Sequence, residues 1–268
     1  MSELLNEKRP SIWHSGWMNT LGRFAALLMV FGFFAYMVED GKFYTSRNLE
    51  NIARQSAVYA TAALGMTLVI ITAGIDLSVG SVIALTVVGT AWVLNLPAEE
   101  GFLIDQYPVG LPIVAVLGGV LLATLAGMAN GAMVVGLRIT PFIVTLGTMG
   151  IFRGLAKGLA SEKDIYPPTD TWISTIMDPT FNSWLERFNS TEGEVAKEQA
   201  SDLSWMILPP GIWLLLISAV GAGVLLQYTR LGRHIYAVGS NEETARLCGV
   251  PVGRTKIIVY MMAGFLLD

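Results

Sequence analysis

Residues 106–137 pass without a single charged side chain, and so do residues 24–38, 55–75, 77–98 and 203–229. No soluble fold buries that much uninterrupted apolar chain, whereas a helix of about 20 mostly apolar residues crosses the hydrocarbon core of a bilayer. Four of these runs reach that length. The run 24–38 reaches it once Leu21 and Gly22 are added and Arg23 extends to the interface. Residues 139–159 make a further span if Arg153 and Lys157 reach one membrane surface, and a seventh begins at Ile257. The expected fold is all-α: a polytopic transmembrane helical bundle, about six full spans plus a truncated seventh, forming a single membrane domain over residues 1–268. The amino terminus is not expected to be a cleavable leader, because Glu3 and Glu7 spoil its positive charge and no small-residue cleavage site follows residues 21–38.

Composition narrows the chemistry. Charged residues make up only 14% of the 268, against roughly 25% in soluble domains, and the mean hydropathy is +0.56. A formal net charge of -4 offers no basic face for nucleic acid. Cys248 is the single cysteine, so neither an intrachain disulfide nor a cysteine metal cluster can form. His14 and His234 are far apart and outside the spans, which leaves no histidine-based metal or catalytic centre. Passage and coupling remain.

Basic residues stay on the cytoplasmic side of a membrane. With the amino terminus inside, residues 97–108 fall outside with Glu99, Glu100 and Asp105 and no basic residue. Residues 160–203 also fall outside, with nine acidic residues against Lys163, Arg187 and Lys197. Residues 229–256 fall inside, with Arg230, Arg233, Arg246, Arg254 and Lys256 against Glu242 and Glu243. The outer loop mixes Pro167, Pro168 and Pro179 with Trp172, Trp184 and Trp205, and is expected to form a partly ordered cap with amphipathic turns on the membrane surface. Within it, Asn189-Ser190-Thr191 fits the glycosylation pattern, a triplet common by chance.

Four segments say more than hydropathy. In Gly74-Ile75-Asp76-Leu77-Ser78-Val79-Gly80-Ser81, glycines at both ends allow a sharp turn, and Asp76 and Ser78 can satisfy amides exposed where a helix breaks. Asp76 either caps the next helix or, as an ionisable group between spans, marks a functional site. Ala115, Gly119, Ala123, Gly127 and Gly131 recur every four residues, a smooth ridge on which another helix can pack closely. Asn130, near the end of that ridge, either lines a polar pathway or bonds a neighbouring helix. In Thr140-Pro141-Phe142-Ile143-Val144-Thr145-Leu146-Gly147-Thr148, Pro141 suits a first helical turn with Thr140 as cap. Thr145 and Thr148 share a face, as pathway hydroxyls or, the more usual role, bonded back to their own carbonyls.

The fourth segment lies in the loop 229–256. Ser240-Asn241-Glu242-Glu243 has the spacing of a capping box, Ser240 and Glu243 closing each other's backbone donors. Gly249 suits a left-handed stop and Pro251 prevents continuation. A short helix over residues 241–248, outside the membrane and capped at both ends, is more than a linker requires and is expected to dock on a soluble partner.

These blocks carry a family resemblance. Ala62-Ala63-Leu64-Gly65-Met66-Thr67 leads into Gly74 to Ser81. Ala129-Asn130-Gly131, the Thr140 block, and Gly232-Arg233-His234-Ile235-Tyr236-Ala237-Val238-Gly239-Ser240-Asn241 with Ala245 and Gly249 follow in order. In this the chain resembles permease subunits of bacterial ABC importers for monosaccharides, the ribose, xylose, arabinose and galactose group. The resemblance implies a multi-pass protein of the bacterial plasma (inner) membrane with its amino terminus cytoplasmic. It also implies a permease homodimer, a separate ATP-binding subunit inside and a periplasmic or extracellular sugar-binding protein outside. The capped helix, with Ser240, Asn241, Glu243, Arg246 and Gly249, then resembles the helix that couples to the ATPase. Asp76, Ser78, Asn130, Thr145 and Thr148 become candidates for the translocation pathway or its broken-helix motif. No cofactor is expected on this chain, since it has no G-x-x-x-x-G-K-[ST] loop and ATP would bind the partner subunit. Family members continue with further spans beyond the cytoplasmic loop, so a truncated or interrupted product is expected. An ion-coupled secondary transporter of a small polar solute, with Asp76 as coupling group, is the alternative. A membrane-embedded enzyme would need a nucleophile and base within the spans.

Overall fold

The computed structural model describes residues 16–97, 101–166 and 210–267. The helices run α1 (Gly16–Met37), α2 (Ser46–Ile71), α3 (Val79–Leu94), the single turn α4 (Leu103–Gln106), α5 (Gly110–Leu137), α6 (Pro141–Leu159), α7 (Pro210–Tyr228), α8 (Arg230–Ser240), α9 (Glu242–Leu247) and α10 (Val252–Phe265). Among the described residues the only strand-like pairing is an isolated bridge between Pro97 and Phe102. The chain is thus the expected helical membrane protein. Of the amphipathic cap expected over residues 160–203, the part from 167 onward, with Trp172, Trp184 and the Asn189 triplet, lies outside the described residues, as does Trp205.

Met1–Ile52 and Ala53–Asp268 are two compact units. In the first, Phe43 stands edge-on to Phe31 of α1 at 5.0 Å between ring centroids and stacks on Phe34 at 5.9 Å. In the second, α10 lies along α5, and α3 packs against both α5 and α6. The core gathers Leu68 and Val69 of α2, Val134 of α5, Ile235 of α8, and Val259 and Tyr260 of α10.

Among the described residues four stretches are long and apolar enough to cross a membrane: Asn51–Ile71, Gly110–Leu137, Pro141–Leu159 and Gly211–Tyr228. Their outer faces carry exposed side chains such as Ile70, Leu121, Ile151 and Ile217, an apolar covering that only lipid or another membrane helix tolerates. The uncharged run 77–98 yields a shorter helix than its length suggests. Its first residues form a non-helical break, and α3 has 16 residues, or roughly 24 Å at 1.5 Å per residue. At its far end Asn95 Nδ2 donates to the Ala91 carbonyl at 2.8 Å.

The small-residue ridge of α5 has a partner. Ala115, Gly119, Ala123, Gly127 and Gly131 are all buried, and α10 covers three of them. A Cβ at Gly127 would overlap the Tyr260 carbonyl, one at Gly131 would stand 2.8 Å from the Ile257 Cα, and one at Gly264 would overlap the Ala123 carbonyl. These are backbone-to-backbone approaches, the packing that small residues permit in lipid. Accordingly α10 begins at Val252 rather than Ile257, and it is a packed helix with Val259, Tyr260 and Ala263 buried.

Candidate functional site

The break between α2 and α3 is built by its first residues. α2 ends with the Ala73 amide bonded to the Ile70 carbonyl at 2.9 Å and the Gly74 amide to that of Val69 at 3.0 Å. This is a Schellman closure, which places its C′ residue in the left-handed region. That residue is Ala73, at φ 57°, where glycine is usual. The expectation that Gly74 and Gly80 make the turn is therefore corrected: neither has a positive φ, and Gly80 lies inside α3. Gly74 serves another purpose. A Cβ there would come within 2.9 Å of both the Tyr260 hydroxyl and a Val69 methyl.

Past the turn, polar groups from three elements converge. Asp76 Oδ1 accepts from the Ser78 amide at 2.8 Å and from Ser78 Oγ at 2.6 Å. Because Ser78 spends its one hydroxyl proton on Asp76, its oxygen accepts from Asn130 Nδ2 of α5, at 2.7 Å. Thr145 of α6 accepts from the Leu77 amide at 3.1 Å and returns its own proton to the Pro141 carbonyl at 2.9 Å. Asp76 is 6% exposed, and Ser78, Asn130 and Thr145 are fully buried. The segment between α2 and α3 is thus pinned twice, by α5 through Asn130 and by α6 through Thr145.

Asp76 holds the amide of Ser78, the residue at the N-cap position of α3, and Ser78 itself makes no side-chain cap. Asn130 bonds across to the break and is at the same time incompletely satisfied: its Oδ1 has no partner among the described residues, nor has the Tyr260 hydroxyl. Thr145 both bonds back, as expected, and reaches across. Thr148 lies one turn further on, buried, with its hydroxyl 3.3 Å from the Thr145 carbonyl, and no hydrogen bond ties it to Asp76 or Asn130. Thr140 precedes Pro141 as expected, but its hydroxyl caps nothing. Tyr260 was not foreseen, because nothing in the run Ile257-Ile258-Val259-Tyr260 distinguishes a ring packed on Gly74 from one facing lipid.

The second candidate region follows α7. Thr229 Oγ1 accepts from the Gly232 amide at 3.1 Å and so starts α8, a helix where the charged sequence predicts a loop. α8 buries Gly232, Ile235 and Val238, three residues apart along one face. The next helix, α9, is present where expected, but its cap is corrected. Ser240 is the last residue of α8, and the N-cap is Asn241, whose Oδ1 accepts from the Thr244 amide at 2.9 Å. Glu242, not Glu243, is the working carboxylate: it pairs with Lys256 of α10 at 2.6 Å and with Arg246 at 3.4 Å. Gly249 stops the helix at φ 81°. Its amide bonds to the Arg246 carbonyl and that of Val250 to the Ala245 carbonyl, both at 3.0 Å, a full Schellman closure. Asn241→Ala is expected to cost about 1 kcal/mol of local helix stability and Ser240→Ala a few tenths at most. Amide hydrogen exchange over residues 242–248 reads the difference, and equal effects would restore Ser240 as the cap.

Among the described residues no group of His, Cys, Asp or Glu side chains has the arrangement of a metal site. A model of the family described as branched-chain amino acid transport system / permease component matches residues 48–266. The chain is 34% identical over 230 residues to the ribose import permease protein RbsC of Escherichia coli (strain K12), covering 84% of this chain and 60% of that protein. It is 30% identical over 241 residues to the autoinducer 2 import system permease protein LsrC of Photorhabdus luminescens, covering 90% of this chain and 61% of that one. With the xylose transport system permease protein XylH of Escherichia coli (strain K12) it shares 29% over 278 residues, 90% of this chain and 68% of that protein. The chain therefore spans about three fifths of the length of the ribose permease it matches, and no solved structure matches it significantly. The family match takes in the break at Asp76, the α5 ridge with Asn130, the Thr145 contact and the capped α9, and on that ground the chain belongs to the branched-chain amino acid transport system / permease component family.

Proposed function

We propose that the chain is the membrane-spanning permease subunit of an ATP-driven importer that translocates a monosaccharide delivered by an extracytoplasmic binding protein. The observation that carries the reading is its similarity, over most of its length, to proteins named for ribose import and xylose transport. The polar groups at the break suit that cargo in kind. Neutral sugars are held by hydroxyls and amides, and Ser78, Asn130, Thr145 and Thr148 supply those, with Asp76 as the single ionisable member. On this reading the chain works as a homodimer in the bacterial inner membrane, amino terminus inside, and ATP is bound and hydrolysed by a separate subunit.

α9 is the natural place for that subunit to act. Glu243, Arg246 and Cys248 are exposed, and Leu247 is 88% exposed, an apolar tip on a helix closed at both ends. A stroke on α9 reaches the core through the Glu242–Lys256 pair and through Val238, Ala245 and Val252, which pack together. Co-expression with the ATP-binding subunit of the same source tests this. The native chain is expected to retain that subunit in detergent, and Leu247→Asp to lose most of it while melting as the native chain does, because exposed side chains contribute little to folding. Capture unchanged by Leu247→Asp removes α9 as the docking helix. No capture by the native chain counts against the importer itself. The ion-coupled reading rests on Asp76 alone.

A further inference from the structure

We infer that a cavity between the α5–α6 turn and the start of α10 binds the phosphate headgroup of an anionic phospholipid. The cavity has a volume of about 570 Å³ and is lined by Arg138 and Thr140 of the turn, Glu242 and Arg246 of α9, and Lys256 of α10. Three cations therefore face one carboxylate. Glu242 is already engaged by Lys256 and Arg246, and among the described residues Arg138 has no ion pair. Arg138 is also held at φ 55°, a left-handed conformation that costs a non-glycine residue roughly 1–2 kcal/mol. The turn thus directs an unpaired guanidinium to a basic hollow. The first turns of α6 and α10 open onto the same space, neither capped by a side chain, and each adds a positive helix end.

Position and size decide the occupant. α5 and α6 each have the length and apolarity to cross a membrane, so the turn joining them lies at a membrane surface. Basic pockets between membrane helices at that level bind phospholipid headgroups. A volume within the roughly 300–1,000 Å³ of small-molecule sites is more than a lone phosphate fills. Ile139 lines the cavity and is exposed, as are its near neighbours in sequence Leu137, Phe142 and Ile143, apolar side chains available to acyl chains. Arg138 would take the phosphate oxygens through two parallel N–H donors, with Arg246, which also lines the cavity, adding charge. The inference needs the chain to lie in a bilayer and does not depend on what it transports.

The test is native mass spectrometry of the purified full chain in detergent with added phosphatidylglycerol, with phosphatidylcholine and inorganic phosphate as separate arms. Arg138→Gly removes the charge while suiting the left-handed backbone, and Arg138→Lys keeps the charge. Phosphatidylglycerol is expected to remain bound to the native chain and to Arg138→Lys, and to bind roughly five- to tenfold more weakly to Arg138→Gly, given about 1 kcal/mol per basic residue near a lipid surface. Phosphatidylcholine is expected to bind far less. Melting in detergent establishes that each variant is folded. Equal retention by Arg138→Gly, equal retention of phosphatidylcholine, or full displacement of the lipid by millimolar phosphate would each overturn the assignment, the last in favour of a soluble phosphate. A charge dependence seen only in the presence of an ATP-binding subunit would overturn it in favour of an acidic protein segment.

Discussion

Gly127→Leu is expected to unseat α10 from α5 and leave little folded protein. A side chain at Gly127 meets the Tyr260 carbonyl and, at 3.2 Å, the Gly264 Cα. Both are backbone, so no rotamer change relieves the overlap, and the helices must move apart along a seam that continues through Gly131 and Ile257. Overpacking an ordinary core costs about 1–3 kcal/mol because neighbouring side chains can shift. Here the separation also forfeits the contacts of Val259, Tyr260 and Ala263, so the loss should exceed that range and take a large part of the roughly 5–15 kcal/mol that stabilises a typical fold. Gly136, on the same helix, has nothing within 4 Å of its Cβ position, and Gly136→Leu is expected to stay within about 0.5 kcal/mol of the native chain. Thermal unfolding in detergent with size-exclusion profiles separates the two. If Gly127→Leu melts with the native protein, α10 does not lie on the ridge in the molecule.

Periodicity made that ridge legible, but not its partner. Small residues every four positions say that some backbone comes close, and α10 begins among the polar residues Gly253-Arg254-Thr255-Lys256, where hydropathy sees a loop. The same blindness hid α8, whose buried face is spaced by three while the segment carries Arg230, Arg233 and His234. Uncharged runs led to about six full spans and part of a seventh, and among the described residues four helices are long and apolar enough to cross a membrane, while those over 21–37 and 79–94 are shorter. The run 77–98 overstates α3, because the residues that break a helix next to a buried carboxylate are themselves uncharged. Local chemistry fared unevenly for a physical reason. Gly249 was readable because only a left-handed stop explains glycine followed by proline after a helix. Ser240 against Asn241 was not, since both are good caps, and α8 decides the matter by consuming Ser240 as its last turn. Ala73 at φ 57° lay beyond sequence reasoning altogether, as alanine gives no signal for a left-handed turn.

Asp76 distinguishes the two readings of the buried break, and its variants should diverge sharply. Asp76→Ala removes the oxygen that accepts both the Ser78 amide and the Ser78 hydroxyl. Both donors then lie unpaired in a site where Ser78 is fully buried, and the bond from Asn130 loses its oriented acceptor. At roughly 1–3 kcal/mol for each unsatisfied buried group, the variant should lose on the order of 2–5 kcal/mol, with the break loosened from α5. Asp76→Asn keeps an oxygen at the Oδ1 position and removes only the ionisable group. If the carboxylate pins the backbone while ATP supplies the work, Asp76→Asn should melt close to the native chain and retain most sugar uptake in proteoliposomes assembled with the partner subunits. An ion-coupled transporter predicts the opposite: Asp76→Asn folded, and silent under any gradient. Uptake abolished in Asp76→Asn with its melting temperature intact would therefore sink the pinning role and leave Asp76 as the coupling group, whereas parallel loss of fold and uptake confined to Asp76→Ala would mean that the carboxylate acts through the shape it imposes on residues 75–78.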